Sequence, residues 1–567
     1  MESLVKFIEE HRAIWEVPGC AVAAVKGDEV VLNQGFGLRD TKENLPVTNK
    51  TLFSIGSTTK AFTAAAVGAL VDDGLVEWRT PVREYIPGFR LHDPVATERI
   101  TVLDLLSHRS GLPRHEFTWM GNPEKNRAEL VGLLQYLPLS RDIREVFQYC
   151  NLGFLTAGYL VEVVSGMTWE DYVSTRLLKA LGMDETNFKV SDMKRSADFS
   201  KAHERRDGNV VEIPYRIMHQ MGPAGSINSS TTDMLAWIQV NLAGGKYGGS
   251  EVISPATVAQ MQSPQMLLAG GSGVGQFPEV SAFAYGLGWM VGDYRGHRVV
   301  QHGGGIDGFL TELMLLPDDG IGLVVLTNST SSSLGPVISY RVLDELLGLE
   351  PLPWQERIKT QRDAVMAGAQ KARAAAARKG APLPRPLEEY VGDYDHPGYG
   401  RFSIKVSGDK LVPEFGTLKV ALVHRHFDVF DLEWHELTDQ EINFALIFQT
   451  NAEGDVVSLT VPFEATVDPI RFERQADARG RDPEVLRGLT GTYVMGPIEV
   501  VVELKGESVL TVAAAGQPGA DLLPGRGLKF IPKGSQGQSC EFVLGEDGSV
   551  KELVIQPMGV FLPKAKA

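Results

Sequence analysis

The sequence predicts an α+β domain, an antiparallel sheet flanked by helices with a helical subdomain, followed by two antiparallel, lipocalin-like β-barrels. Three observations predict this fold class. Strand patterns occur at both ends of residues 1–350, the composition changes over 351–383, and the remaining sequence repeats itself. We therefore expect a first domain over 1–350, a linker over 351–383, and barrels over 384–478 and 479–567.

The first domain begins with patterns for a helix and a hairpin. Residues 4–8 have helical apolar spacing. The apolar runs Cys20–Val25 and Val30–Leu32 flank the turn signal Lys26-Gly27-Asp28, which indicates a hairpin. The Ala-rich stretch Ser57–Leu70 then predicts a buried helix.

Helical spacing returns over 101–112 and 151–165, and strand patterns close the domain. These closing strand patterns are Tyr285–Val291, Arg298–Gln301, Leu310–Leu316 and Gly322–Thr327. Strands at both ends with helices between them indicate one sheet built from both termini of the domain, interrupted by a helical insertion.

The remaining sequence divides into a linker and two repeated units. Residues 351–383 are Ala-rich, locally basic and punctuated by Pro, which predicts a solvated linker that is part helix and part extended. Leu387–Tyr394 is echoed by Leu486–Tyr493, and Gly454–Leu459 by Gly548–Leu553. Both copies consist of short alternating strands and Gly turns, so each predicts a β-barrel.

Composition and charge exclude several classes of protein. With 55 Lys+Arg against 71 Asp+Glu, the net charge is −16, which disfavours a nucleic-acid partner. No apolar run reaches the ~20 residues that span a bilayer, so no membrane partner is expected. The three cysteines are far apart, and the N-terminal segment is amphipathic rather than signal-like. Together these features favour a cytoplasmic protein without disulfides or a zinc site.

The first chemical motif is Ser57-Thr-Thr-Lys60 at the start of a predicted helix. Positions i and i+3 share a helix face, so the Ser57 hydroxyl and the Lys60 amine can meet. A lysine can take the serine proton only if burial and nearby positive charge lower its pKa from about 10.4. Such a motif arises often by chance, so alone it favours a helix cap and a surface lysine over a catalytic pair.

Two further motifs carry polar groups beside a helix and a strand. Tyr149-Cys-Asn151 precedes a predicted helix; a tyrosine can relay protons if cationic neighbours lower its pKa, and an asparagine can donate to a substrate carbonyl. His302 ends a strand and is followed by Gly303, Gly304 and Gly305. Successive glycines let a substrate lie against the strand and leave an N–H facing an oxyanion. The alternatives are a core tyrosine, a structural histidine and a flexible Gly turn.

In this order the three motifs resemble the penicillin-recognising serine enzymes, specifically the class C β-lactamase/CubicO branch. Other stretches over residues 1–350 share the resemblance: Thr101–Pro113, Asn151–Thr186, Pro223–Asn228 and Tyr285–Trp289. The resemblance implies a β-lactamase-like fold and acyl-enzyme chemistry. The catalytic residues it implies are Ser57, Lys60, Tyr149 and His302, and the substrate-binding or oxyanion residues are Asn151, Gly303, Gly304 and Gly305.

Two departures from the β-lactamase pattern bear on the substrate. His302 stands where β-lactamases carry the lysine that helps hold the β-lactam carboxylate. A histidine is mostly neutral at pH 7, which disfavours penicillins as the natural substrate. The histidine motif with two following barrels resembles bacterial D-aminopeptidases, in which a loop of the last barrel reaches the active site. The corresponding loop here would be Gly516–Gly525.

The sequence therefore predicts a serine hydrolase of amide or ester bonds acting on a small molecule or short peptide, with a D-stereospecific aminopeptidase as the leading guess. The alternatives are an acyltransferase with a small-molecule acceptor and a non-catalytic binding scaffold. No cofactor and no metal are expected: His424, His426 and His435 are interpreted as surface or interface residues. Gly270–Gly275 is predicted to be a loop, and helix faces near 335–348 fit either core or a homodimer interface.

Overall fold

The computed structural model describes residues 2–206, 208–268, 277–330, 332–376, 381–418, 420–434, 444–452, 454–514, 517–535 and 537–563. Two compact units are present. The first contains the described residues of 1–378 together with Glu464–Asp468, and the second contains the other described residues. The predicted loop over 270–275 and His435 lie outside the described residues.

Helices of the first unit flank its main sheet and form the insertion between its strands. They are α1 Glu2–Ile14, α2 Thr59–Asp72, α3 Pro94–Arg99, α4 Val102–Leu106, α5 Phe117–Met120, α6 Arg127–Leu133, α7 Asn151–Ser165, α8 Trp169–Val173, α9 Lys179–Leu181, α10 Val190–Met193, α11 Gly222–Gly225, α12 Thr231–Leu242, α13 Pro255–Met261, α14 Leu334–Leu347 and α15 Trp354–Ala376. Short 3₁₀ turns lie at Gly56–Thr58, Val82–Glu84 and Leu134–Tyr136, and a π turn lies at Ser174–Leu178.

Strands of the first unit form the main sheet and three small ribbons. They are β1 Gly19–Lys26, β2 Glu29–Asp40, β3 Leu45–Pro46, β4 Phe53–Ser54, β5 Ala202–Arg206, β6 Asn209–Ile213, β7 Asn228–Ser229, β8 Lys246–Tyr247, β9 Ser250–Glu251, β10 Met266–Leu267, β11 Val280–Tyr285, β12 Met290–Tyr294, β13 His297–Ile306, β14 Phe309–Leu316 and β15 Ile321–Thr327.

The main sheet has nine strands in the order β10-β11-β12-β13-β14-β15-β1-β2-β3. Its pairings are antiparallel, and β1 lies against β15 with Cys20 opposite Thr327. Strands from both ends of the unit are therefore neighbours, which confirms the predicted topology. β1 and β15 are buried almost throughout, as expected for strands covered on both faces.

Helices α1, α14 and α15 bury their apolar side chains against one another and against the sheet. Trp354 and Ile358, at the start of α15, belong to this core although the sequence places them in the predicted linker. Helix α2 is buried on nearly every side, and its Ala-rich sequence permits close packing all round.

The predicted strand Tyr285–Val291 is wrong. β11 ends at Tyr285 and β12 begins at Met290, because a tight turn intervenes in which the Gly286 N–H donates to the Trp289 carbonyl at 2.7 Å. Gly288 has a φ of +75°, and a Cβ there would lie 2.8 Å from the carbonyl oxygen of Lys60. Apolar periodicity alone does not reveal this turn, since its residues are as apolar as the strands beside it.

The second unit contains two eight-stranded antiparallel sheets, as the internal repeat predicts. The first is nearly closed, with the order β18-β17-β16-β23-β22-β21-β20-β19, and the second is a closed barrel of β24–β31. The strands are β16 Gly392–His396, β17 Gly400–Ser407, β18 Lys410–Phe415, β19 Val420–His426, β20 Val429–Trp434, β21 Phe444–Thr450, β22 Val456–Val461, β23 Ile470–Arg474, β24 Gly491–Met495, β25 Ile498–Lys505, β26 Val509–Ala514, β27 Ala520–Pro524, β28 Lys529–Pro532, β29 Ser539–Leu544, β30 Val550–Gln556 and β31 Gly559–Pro563.

Short helical elements precede each barrel. They are the 3₁₀ turns Leu387–Tyr390 and Ala478–Arg481 and the helix α16 Pro483–Gly488. Within the predicted loop Gly516–Gly525, Ala520–Pro524 form the strand β27, which pairs with β26 and β28 inside the closed barrel, while Gly516 lies outside the described residues. Among the described helices of the whole chain, none combines the length and apolarity needed to cross a membrane.

Asp344 of α14 fastens the sheet to the start of α15. Its buried carboxylate accepts hydrogen bonds from Tyr294 Oη at 2.7 Å, Arg295 Nη1 at 2.6 Å, Leu352 N at 3.2 Å and Trp354 Nε1 at 3.0 Å. A buried carboxylate is tolerated because all its partners are donors and one of them is a cation.

We expect Asp344→Ala to lower the thermal unfolding midpoint of the full chain, because it removes the carboxylate that pairs with Arg295 and leaves several donors without their acceptor. Breaking such a buried pair costs about 3–5 kcal/mol. The control is Asp363→Ala, which removes an exposed carboxylate of α15 paired with Lys359. Calorimetry that finds equal midpoints for the two variants would contradict the role assigned to Asp344.

Candidate active site

Ser57 lies in the 3₁₀ turn that joins β4 to α2, packed against strand β13. Glycines make this close approach possible. Gly56 has a φ of +54°, and a Cβ there would lie 2.7 Å from the amide nitrogen of Gly305. A Cβ at Gly304 would lie 1.9 Å from the carbonyl oxygen of Ile55. Any side chain at either position would push the serine turn away from the strand.

The glycine run lies inside β13, not in a turn after it, and it forms an open strand edge. β12 pairs with β13 only over His297–Gln301, whereas β14 pairs with it through Ile306. Among the described strands, Gly303–Gly305 therefore has a neighbour on one side only. The partly exposed Ser57 lines one cavity with Gly303 and Gly305 of this edge, where an extended substrate could lie beside the strand.

Lys60 lies on the first turn of α2 with its side chain fully buried. Its Nζ is 2.9 Å from Ser57 Oγ and donates to the carbonyl oxygen of Ala224 at 2.7 Å. Burial lowers the pKa of Lys60 to about 7; Glu116 opposes this shift and Arg114 adds to it. The i, i+3 contact and the lowered pKa that the sequence required are both present.

Tyr149 completes the group around Ser57. Lys60 Nζ lies 4.9 Å from the centre of the Tyr149 ring, and the Arg114 guanidinium lies 5.1 Å from it. Burial raises the pKa of Tyr149 well above its usual value, although a hydrogen bond with Ser57 and the charge of Arg114 oppose the shift. The cationic neighbours thus do not lower the pKa below the ordinary range, and the hydroxyl keeps its proton.

His108 is a residue that sequence reasoning did not single out. Its ring lies 4.3 Å from that of Tyr149, and its Nδ1 accepts the backbone N–H of Cys150 at 3.1 Å. Burial, followed by the charges of Lys60 and His302, lowers the pKa of His108 well below 6.5, so the ring is neutral. It therefore holds the backbone beside Tyr149. His108 lies within Thr101–Pro113, a stretch that shares the resemblance to the class C β-lactamase branch, and this was the signal that could have pointed to it.

Both ring nitrogens of His302 have partners within the sheet. Its Nε2 lies 2.9 Å from Tyr285 Oη, and its Nδ1 lies 2.6 Å from the carbonyl oxygen of Gly303. Burial, with the charge of Lys60 adding to it, lowers the pKa of His302 to about 3. The Gly303 carbonyl can only accept, so Nδ1 carries the proton and Nε2 accepts from Tyr285. Neither nitrogen is free for Tyr149, whose ring centre is 6.3 Å away.

Asn151 begins α7 and contacts Glu116. Its Nδ2 donates to Glu116 Oε1 at 2.7 Å, and Glu116 also pairs with Arg114 at 2.9 Å. The Asn151 Oδ1 is buried and has no hydrogen-bond partner among the described residues. The sequence suggested a donor to a substrate carbonyl, whereas the group left unpaired here is an acceptor, suited to a substrate N–H.

Ser57, Arg114, Tyr149 and His302 open into one cavity of about 560 Å³. It is lined by Ser57, Arg114, Tyr149, Phe277, Val280, Met290, Gln301, His302, Gly303, Gly305, Glu312, Met314, Ser333, Pro336, Tyr340, Ile358 and Gln361. The cavity combines a serine, a base and apolar walls, as a small-molecule site requires. Within the described ranges, no group of three or more His, Cys, Asp or Glu is arranged to hold a metal ion.

Comparison with known proteins agrees with this geometry. The beta-lactamase family model matches residues 4–346, and a domain of unknown function, DUF3471, matches residues 376–474. An unguisins hydrolase of Aspergillus campestris is 32% identical over 410 residues, covering 69% of this chain and 75% of the relative. Protein flp of Staphylococcus aureus is 26% identical over 341 residues, 60% of this chain and 65% of that protein.

Solved structures show the same fold. An octameric penicillin-binding protein homologue from Pyrococcus abyssi aligns over 83% of this chain and 99% of its own, with a TM-score of 0.56 and 22% identity. A D-amino acid amidase from Ochrobactrum anthropi aligns over 64% of this chain and 99% of its own, with a TM-score of 0.51 and 21% identity. By its sequence and its fold, the chain belongs to the beta-lactamase family of serine hydrolases.

Proposed function

We propose that this protein hydrolyses amide or ester bonds through an acyl-enzyme on Ser57. The observation that carries the proposal is the buried amine of Lys60, 2.9 Å from Ser57 Oγ and with a pKa of about 7. Near neutral pH a large share of such an amine is unprotonated and can act as a general base. The relative from Aspergillus campestris is a hydrolase, which supports hydrolysis as the reaction.

Acylation would begin when neutral Lys60 takes the proton of Ser57. The serine oxygen then bonds to the substrate carbonyl carbon, and the C=O electron pair moves onto oxygen. The backbone N–H groups of Ser57 and Gly305, brought together by the glycine contacts, are the donors for that oxyanion. Because the donors belong to the backbone, they need little rearrangement during the reaction.

Tyr149 would deliver the proton that the leaving group needs. Its raised pKa keeps the hydroxyl protonated, so it acts as a donor and not as an anionic base. A proton from Lys60 replaces the one that Tyr149 gives away, and the C–N or C–O bond breaks as the serine ester remains. Water then attacks the ester by the same steps in reverse, releasing the acid and restoring Ser57.

D-amino-acid amides and short peptides are the leading substrate class. A neutral His302, with both ring nitrogens engaged, supplies no positive charge for a β-lactam carboxylate. The combination of a histidine motif and two following barrels favours D-aminoacyl substrates. The unpaired Asn151 Oδ1 can accept an N–H from an amide substrate.

Ser57→Ala tests the nucleophile. We expect wild type to release p-nitroaniline from D-Ala p-nitroanilide faster than from the L form, and the variant to release it from neither. Ser191→Ala, at an exposed serine of α10, is the matched control. Mass spectrometry after quenching should find the acyl group on the Ser57 peptide. Equal turnover by wild type and Ser57→Ala would refute the proposal, and cleavage of the L form alone would refute the stereochemical part.

The pH profile tests Lys60. Its pKa is depressed to about 7, so the unprotonated form accumulates above that pH and is lost below it. With an uncharged p-nitrophenyl ester, kcat/KM should rise with pH and level off above about pH 7. Lys60→Arg should lose turnover at every pH tested, since a guanidinium does not deprotonate. A wild-type profile that is flat from pH 5 to 9 would contradict this assignment.

Tyr149→Phe tests proton delivery to the leaving group. The ring that packs on Lys60 and His108 is retained, while the hydroxyl is lost. General acid catalysis contributes about 10²–10⁴-fold, and amide cleavage needs it more than cleavage of an ester with a good leaving group. Amide turnover should therefore fall further than p-nitrophenyl ester turnover. Tyr159→Phe on α7 is the control, and equal losses on both substrates would argue against the role.

A further inference from the structure

Glu312 stands apart from the groups that the proposed mechanism uses. It lies on β14 directly opposite Gly303 of β13, and its half-buried side chain lines the same cavity as Ser57 and His302. Its carboxylate has no hydrogen bond or ion pair with any described residue. A carboxylate withdrawn from water and left without a partner is costly, which makes it a candidate for recognising a ligand.

Neighbouring glycines make room for this side chain. A Cβ at Gly335, at the start of α14, would lie 2.7 Å from Glu312 Cγ. On the other side, a Cβ at Gly303 would have Glu312 Oε2 at 3.8 Å, with no other side chain nearer. The carboxylate thus reaches the strand edge through a gap that both glycines leave open, next to the segment where a substrate would lie.

Among the described residues, none supplies a positive charge that offsets the burial of Glu312. Burial raises its pKa to about 7, and no lysine or arginine of the described ranges lowers it. Arg114, the other charged residue among those described as lining the cavity, is already paired with Glu116. Tyr340 lines the same cavity as Glu312, and the charge of Glu312 adds to burial in raising the pKa of Tyr340. A positive charge entering the cavity would meet this unpaired carboxyl group and would stabilise its ionised form.

We propose that Glu312 binds a positively charged amine of the substrate, so that the enzyme selects aminoacyl or other amine-bearing substrates over uncharged ones. This rests on the proposed function, because it concerns substrates that acylate Ser57. An ammonium ion would supply the counter-charge and hydrogen-bond donors that the carboxylate lacks. Uncharged acyl groups would leave Glu312 desolvated and unpaired, which disfavours them.

Paired substrates test the proposal. The p-nitroanilides of glycine, 3-aminopropanoic acid and 6-aminohexanoic acid are compared with the p-nitroanilides of acetic, propanoic and hexanoic acid. The members of each pair have the same chain length and leaving group and differ in the amine. Wild type should favour the amine-bearing member of at least one pair by tenfold or more in kcat/KM. The chain length with the largest ratio then measures the distance from the scissile carbonyl to the Glu312 carboxylate. Glu312→Gln should reduce that ratio to under threefold, because glutamine keeps the shape and loses the charge.

Glu251→Gln is the matched control, since it removes an exposed carboxylate on β9 and should keep the wild-type ratio. A ratio near one in wild type at every length, or a ratio that survives in Glu312→Gln, would overturn the proposal. If the Glu312→Gln variant does not fold, inhibition of the wild-type enzyme by small molecules still tests the proposal. Hexylammonium should inhibit competitively at least tenfold better than hexanol, and equal inhibition would also overturn it.

Failure of this inference can be told apart from failure of the proposed function. If Ser57→Ala turns over the anilides as fast as wild type, the acyl-enzyme itself is wrong. If turnover depends on Ser57 but the amine preference is absent or independent of Glu312, the acyl-enzyme stands and only the recognition by Glu312 is wrong.

Discussion

The amine of Lys60 is out of contact with water, and the chemistry of the site depends on that burial. In solution a lysine at neutral pH is an ammonium ion and cannot accept a proton. Among the described residues, the direct contacts that replace water around the charged form are the Ala224 carbonyl, the Ser57 hydroxyl and the faces of Tyr149 and Phe154. These contacts stabilise the charged form less than water would. The pKa of Lys60 is therefore about 7, close to neutral pH.

The same burial shifts the pKa values of the basic and acidic side chains around Ser57 in opposite directions. Removing water favours the neutral form of every side chain, so it lowers the pKa values of Lys60 and His302 and raises that of Tyr149. At neutral pH the site therefore places a partly neutral amine, a protonated phenol and an uncharged histidine side by side. One physical cause sets the protonation states of all three groups, on which the proposed mechanism depends.

The sequence predicted contacts and strand order, which depend on the spacing of residues along the chain. It did not predict pKa values and hydrogen-bond partners, which depend on residues that folding brings together. Ser57 and Lys60 meet because i and i+3 share a helix face, and the sheet joins both termini because the strand patterns lie at both ends. Position alone could not reveal that burial would outweigh Arg114 in setting the pKa of Tyr149. Nor could it reveal that Tyr285, the last residue of β11, would form a hydrogen bond with Nε2 of His302.

The pairing of β1 with β15 also constrains how the first unit can be made. During synthesis the paired residues emerge about 300 positions apart, so at about 5–20 residues per second β1 waits roughly 15–60 s for that partner. Throughout this interval β2 can cover one edge of β1, while its other edge and most of its apolar side chains remain without the strands and helices that enclose them in the finished sheet. The helical insertion is translated in the meantime, which makes the nascent chain a substrate for chaperones until its last strand arrives.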